Sequence, residues 1–353
     1  MALQFILGPS GAGKSEYIYE DIIRRTMQDE RENVIVLVPE QYSLEIQRKL
    51  VQKHPRGGSF QIDVIGFNRL AYRIFDELHI KPKKVLEDFG KSMLLRKAAQ
   101  EHKEELSLYA GSLDKAGFID EAKSLMSEIY QYDIPRERLR EALQKLDDSE
   151  EARVLARKLQ DMLVIFDAFE EKKGQSFIVA EQMLELLTAA AEQSELIAGS
   201  EIVLDGFTGF TPIQLNLISV LLRRAKKVTI VLTIDAATYE KKHVAEHELF
   251  ALTKQTIEHL LLTAEQAHVV VEPALFLGKD GCKRWSKGHP LAHLEQNLFR
   301  YPYRVGKDEE QAITITAYDT PAQELTGVAE QIRTLVMEQG YRYRDIAIVS
   351  GNL

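Results

Sequence analysis

The sequence has 353 residues, enough for two or three domains each with its own core. Hydrophobic residues make up 45% and charged residues 28%, an ordinary globular balance, with no apolar run near the ~18 residues of a membrane span. A net charge of −9 gives no support for a small autonomous DNA-binding module, and a single cysteine, Cys282, excludes an internal disulfide framework or four-cysteine metal site and fits a reducing cytoplasm.

The opening MALQFIL runs straight into a glycine loop without a basic leader or cleavage pattern, so Leu3–Leu7 reads as a buried first strand, not a signal peptide. Lys14 to about Gln28 reads as a helix, with Ile18, Ile22, Ile23 and Met27 at helical spacing. The run Val34–Val38, stopped by Pro39, has the continuous apolar character of a central parallel strand. Ile62–Ile65 is a further short strand and Asn68–Leu78 a helix. This alternation argues for an α/β fold with helices on the faces of a parallel sheet.

From Val85 to Leu196 glycine and proline nearly vanish and apolar residues keep helical spacing, as in Leu159, Met162, Leu163 and Phe166. The segment 85–196 is therefore expected to be an all-helical insertion. The α/β texture resumes with strand Glu201–Leu204, helix Pro212–Arg224 and strand Val228–Ile234. A helix near Leu249–Leu262, a strand at His268–Val271, a glycine- and lysine-rich loop (Gly278–Gly288) and a helix Leu291–Phe299 follow. Ala312–Ala317 alternates like a strand, Glu324–Gly340 reads as a helix and Ile346–Ser350 as a strand. The sequence stops directly after it, which suggests an α/β domain cut short.

Gly8-Pro9-Ser10-Gly11-Ala12-Gly13-Lys14-Ser15 fits G-x-x-x-x-G-K-[ST] between a predicted strand and a predicted helix, the context this phosphate-binding motif requires. Its glycines let backbone N–H groups converge on phosphate oxygens, Lys14 reaches the β/γ-phosphates, and Ser15 offers a hydroxyl to Mg²⁺. The expected ligand is ATP with Mg²⁺. Binding is not hydrolysis, which also needs a metal-associated carboxylate and a group that activates water. Asp205, ending the strand Ile202–Leu204, is the candidate for the metal, or else part of a plain turn. Gly206 follows, where helicase-type ATPases place a glutamate, so no catalytic residue is assigned.

Phe67, Asn68 and Arg69 lie just past a strand end, with Arg73 one helical turn on; they could stack and clamp single-stranded DNA, or simply open a helix with solvated charges. The basic clusters at Lys81–Lys84 and Arg223–Lys227 read as solvated surface. The nine histidines form no ligand-like cluster and no resident metal site is expected.

Taken in order, FILGPSGAGKS, VLVPEQYSLE, VIGFNRLAYRIF, GKSMLLRKA, IVLDGFTGFTPIQ, PLAHLEQNLF and AYDTPAQELTGVAEQI…YRYRDIAIVS resemble the N-terminal part of the AddB (RexB) family, the second subunit of the AddAB helicase–nuclease. The resemblance covers essentially the whole sequence, while the family is much longer; DGFTGFTP and PLAHLEQNLF are its specific stretches. It implies a P-loop, RecA-like parallel sheet of the UvrD-type helicase fold in two parts (1–84 and 197–305), interrupted by the helical domain 85–196. The start of a second RecA-like domain would lie at 306–353. It also implies pairing with an AddA/RexA-like subunit, action on double- and single-stranded DNA in double-strand-break repair, recognition of Chi, and a cytoplasmic, membrane-free location. Family AddB subunits keep the phosphate loop yet are not the motor. Their nuclease domain and iron–sulphur cysteines lie beyond this segment, and Cys282 matches none of them. Two alternatives stay open, an independent P-loop kinase and a non-catalytic scaffold with a relic loop.

Overall fold

The computed structural model describes all residues except 30, 82, 116, 148, 175, 279–281, 287, 308–311 and 352–353. It divides into two compact units, Met1–Trp285 and Ser286–Leu353. That boundary lies N-terminal to the expected division at 305/306.

In the first unit, strand β1 (Ala2–Gly8) leads through the glycine-rich loop into helix α1 (Lys14–Gln28), followed by β2 (Asn33–Leu37), α2 (Ser43–Lys53), β3 (Ile62–Ile65) and α3 (Phe67–Glu77). A short strand β4 (Lys84–Val85) precedes helices α4 (Asp88–Glu101), α5 (Phe118–Gln131), α6 (Arg136–Gln144) and α7 (Glu150–Lys173). Then come β5 (Phe177–Ile178), α8 (Ala180–Ala191), α9 (Glu195–Ala198), β6 (Ser200–Leu204) and α10 (Pro212–Arg224). The unit closes with β7 (Lys227–Thr233), α11 (Ala236–Glu240), α12 (Ala251–Gln266), β8 (Val270–Val271) and β9 (Leu275–Phe276).

Seven strands form one sheet in the order β3-β2-β6-β7-β1-β8, with β9 also on β1, and every ladder among the described residues is parallel. The period-2 alternation sends Leu3, Phe5, Leu7, Ile35, Leu37, Ile202, Leu204, Ile230 and Leu232 to one face, under the helices α3, α8, α10 and α12. It sends Ile6, Val34, Val36, Val64, Val203 and Val231 to the other, against Ile18, Tyr19, Ile22 and Ile23 of α1 and Leu50 of α2. Covering on both faces is why these strands read as unbroken apolar runs.

The expected all-helical insertion differs in two ways. Its neck is tied by the two-residue parallel ladder of β4 with β5, reinforced by Leu86 N–H donating to Ile178 O at 2.8 Å. Helices α4, α5 and α7 build their own core around Leu95, Met126, Phe166 and Phe169, but α8 does not join it. Met183, Leu187, Ala190 and Ala191 of α8, at helical spacing, pack into the sheet's core instead. The helical core proper thus ends before α8.

In the second unit, α13 (Pro290–Asn297) and α14 (Pro321–Glu338) form as expected. Ala312–Ala317 and Ile346–Ser350, expected as strands, carry no regular secondary structure and join no sheet among the described residues. Alternation specifies a strand only where one face is buried, and here Ile315 is 92% and Val349 93% exposed. No helix among the described residues is long and apolar enough to cross a membrane.

Candidate functional site

The crossover from β1 runs to β2 on one side, whereas the chain from β7 passes to β8 and β9 on the other. β1 and β7 are neighbours, so the carboxyl ends of these two strands flank a topological switch point, where open α/β sheets form their ligand crevice. A cleft of about 420 Å³ opens there. Ser10, Gly11, Gly13, Lys14 and Ser15 line it from the loop, Asp205, Gly206 and Phe207 from beyond β6, and Thr233 from β7.

The loop keeps its shape through backbone conformations that favour glycine. Gly11 and Gly13 have φ of +72° and +84°, and Gly13 is the residue from which α1 starts. Ala12 N–H donates to Pro9 O, and Lys14 Nζ donates to Gly8 O at 2.9 Å and Pro9 O at 2.8 Å. The lysine ammonium is therefore held over the loop beside the positive end of a fifteen-residue helix.

Asp205 reaches the same cleft although 4% exposed. Tyr19 Oη donates to its Oδ2 at 2.6 Å, and Gly206 N–H donates to its Oδ1 at 2.9 Å. Burial first, then the adjacent Asp205 charge, hold the Tyr19 hydroxyl far above its ordinary range, so it stays a donor. Tyr19 escaped the sequence reading. Its one signal is its place four residues after Ser15, on the sheet-facing side of α1.

Gly206 adopts φ of +83°, and a Cβ there would stand 3.3 Å from Pro39 Cδ. A glutamate at this position is strained whatever its chemistry, so Gly206→Glu is a poor way to install a base. Glu16, the other carboxylate that lines the cleft among the described residues, is engaged by Lys53. Ser15 and Asp205 form an all-oxygen set of the kind Mg²⁺ prefers. Each Asp205 oxygen keeps a second lone pair beyond the bond it accepts, so the pair fits such an ion.

Phe67, Asn68 and Arg69 open α3 at this carboxyl edge. Phe67 is half-buried and packs on Phe207 with ring centroids 5.5 Å apart, and Phe207 on Phe210 at 5.2 Å. Phe207 is thus shared between the aromatic row and the cleft. The Asn68 backbone N–H donates to Glu40 Oε1 at 3.0 Å, a carboxylate cap on α3. The side chains of Asn68 and Arg69 are exposed. Arg73 pairs with Asp63, whose carboxyl burial pushes up while the Arg73 and Arg69 charges pull it back. In the cluster at the end of α10, Arg223, Arg224 and Lys227 are half-buried and paired, with Glu192, Glu195 and Glu272 respectively, and only Lys226 is exposed.

A family model described as "ADDB, N-terminal" matches residues 5–295. Proteins named as the B-type subunit of an ATP-dependent helicase/deoxyribonuclease are similar along the whole chain. That of Lachnoclostridium phytofermentans is 39% identical over 99% of this chain and 30% of its own length. Those of Alkaliphilus metalliredigens and Clostridium tetani are 33% and 31% identical, each over 100% of this chain and 30% of its own. The chain thus spans about 30% of the length of the curated relatives it matches. None of these matches favours the independent kinase.

Proposed function

The chain belongs to the AddB N-terminal family, and from that premise we propose that it is the nucleotide-binding, DNA-handling portion of the AddB-type subunit of an ATP-dependent helicase/deoxyribonuclease. The carrying observation is the cleft at the β1/β7 switch point, where the glycine loop, Lys14, Ser15 and Asp205 converge. On this reading the first unit is a RecA-like domain of the UvrD type and the second unit opens another. Gly8 to Ser15 hold the phosphates of ATP: the loop's N–H groups and the start of α1 meet the oxygens, and Lys14 exchanges its carbonyl partners for the β/γ-phosphates. Ser15 and Asp205 would hold Mg²⁺, which when bound neutralises phosphate charge. Tyr19 fixes the Asp205 carboxylate so that it faces the cleft.

The same geometry favours a subunit that binds ATP without being the motor. Of the two carboxylates that line the cleft among the described residues, Asp205 is held by Tyr19 and Glu16 by Lys53, and neither is poised to take a proton from water. Pairing with an AddA-like motor subunit, work at double-strand breaks in the cytoplasm and a part in Chi recognition complete the proposal. Phe67, Asn68 and Arg69 at the sheet's carboxyl edge are the contacts proposed for single-stranded DNA.

Titration of labelled Mg·ATP against the wild type and Lys14→Ala tests the reading. Removal of a charge-assisted contact costs roughly 1.5–3 kcal/mol, a loss of about ten- to a hundredfold in affinity. Equal affinity of both proteins, or binding by neither, defeats it.

A further inference from the structure

We propose that residues Cys282–Trp285 form a strap that locks onto the glycine-rich loop and delivers Arg284 as a second phosphate ligand, supplied in cis. The inference rests on the nucleotide reading of the cleft. The fold itself brings the strap there. β9 pairs in parallel with Ile6 and Leu7 of β1, so the chain leaving it emerges at the same sheet edge as the loop. Leu277 N–H extends the ladder by donating to Leu7 O at 2.8 Å.

The strap then meets the loop on its carbonyl side. Lys283 N–H donates to Gly11 O at 2.9 Å, and Cys282 Sγ lies 3.7 Å from Ser10 O. The loop's glycines are shaped to this neighbour. A Cβ on Gly11 would stand 2.4 Å from Cys282 Sγ and 3.1 Å from Arg284 Cβ, and one on Gly13 would stand 3.1 Å from Lys283 Cδ. Gly11 is informative because the phosphate-loop pattern leaves that position open to any residue. Here its φ of +72° and the strap's close approach both require glycine.

Because the strap takes carbonyl oxygens, it leaves the N–H groups, the side that binds anions, to the cleft. Arg284 lines that cleft together with Ser10, Lys14 and Ser15, and its guanidinium lies 5.6 Å from the Trp285 ring centroid. Its fork of N–H donors suits a phosphate, and stacking on the indole orients it. A triphosphate in the cleft is then held by Lys14 from the helix side and by Arg284 from the strap.

Trp285 is the chain's single tryptophan, so its emission reports on the strap without a label. Labelled Mg·ATP is titrated against the wild type, Arg284→Ala and Arg284→Lys, and Trp285 emission is followed in parallel. Arg284 is exposed, so its replacement leaves the fold intact. The expected result is about a tenfold weaker affinity for Arg284→Ala, partial recovery for Arg284→Lys, and a wild-type emission change that saturates with binding. Gly11→Ala should unseat the strap and speed alkylation of Cys282 by iodoacetamide even without nucleotide. Wild-type binding with unchanged Arg284→Ala affinity overturns the proposal and leaves the nucleotide reading standing. An unaltered alkylation rate in Gly11→Ala refutes the seating. Absence of ATP binding by the wild type removes both.

Discussion

Replacing Tyr19 with phenylalanine isolates the contact that fixes the cleft carboxylate. The ring, 3% exposed among Ile6, Ile18 and Val36, keeps its packing and only the hydroxyl is lost. The bond it makes is 2.6 Å long and ends on a carboxylate oxygen. A hydrogen bond to a charged group contributes about 1.5–3 kcal/mol, and because Asp205 also lines the cleft, water replaces part of it. The expected loss in chemical unfolding is therefore about 1.5–2 kcal/mol. Asp205→Ala should cost a similar amount, and the double variant should fall short of the sum by about 1.5 kcal/mol, since both singles break the same bond. The alkaline limb gives an independent reading. Burial and the Asp205 charge raise the Tyr19 hydroxyl well above its unfolded value of about 10. Its stabilisation is complete below that pH. Above it the unfolded chain releases a proton that the folded chain retains, and stability falls by about 1.4 kcal/mol per pH unit. Tyr19→Phe should lack this increment relative to the wild type. Additive single-variant effects together with an unchanged alkaline limb would show that the bond does not hold Asp205.

Three further outcomes follow from the same geometry. Since both carboxylates that line the cleft among the described residues are engaged by partners, phosphate release by the wild type, with or without single-stranded DNA, should stay below about one turnover per second, the lower end of the common enzyme range; faster DNA-stimulated release refutes the non-motor reading. Phe67→Ala with Arg69→Ala should weaken binding of a labelled oligonucleotide by about 1–3 kcal/mol per lost stacked base and flatten its salt dependence, whereas unchanged affinity and slope return both residues to a purely structural role. Asp161, 1% exposed, accepts from the backbone N–H groups of Ser107, Leu108 and Tyr109 and from the Ser107 hydroxyl. Burial alone would raise its carboxyl, but these donors outweigh it and hold it below the usual value. The stabilisation is present above the unfolded aspartate value near 4 and is lost as the pH falls through the lower folded value. Asp161→Ala should cost at least about 2 kcal/mol at pH 7 and remove that acid-limb increment, as measured by urea unfolding at several pH values.

The parts of this fold that were legible in the sequence are those whose signal is local. Helix α1 and strand β3 fall where periodicity and composition put them, because a buried stripe or a short apolar run is written into neighbouring residues. The glycine loop was legible for the same reason: its motif is one unbroken octapeptide between a strand and a helix. What was not legible depends on what a segment packs against. Helix α8 reads like the other insertion helices, yet its stripe is claimed by the sheet's core through α3 and α10. The segments around Ile315 and Val349 alternate like strands, but these two side chains stay exposed instead of turning inward. Tyr19 and Arg284 are the sharpest cases. Their partners are 186 residues away in Asp205, and in a loop more than 250 residues upstream. No spacing rule spans such distances; only the parallel order that sets β6, β7, β1 and β9 side by side brings them to one cleft. Gly11 was visible as a glycine from the start, but the motif explains only Gly8 and Gly13. The surplus glycine is the sequence's single local trace of the strap, and it becomes readable once β9 is seen to deliver Cys282 and Arg284 against it.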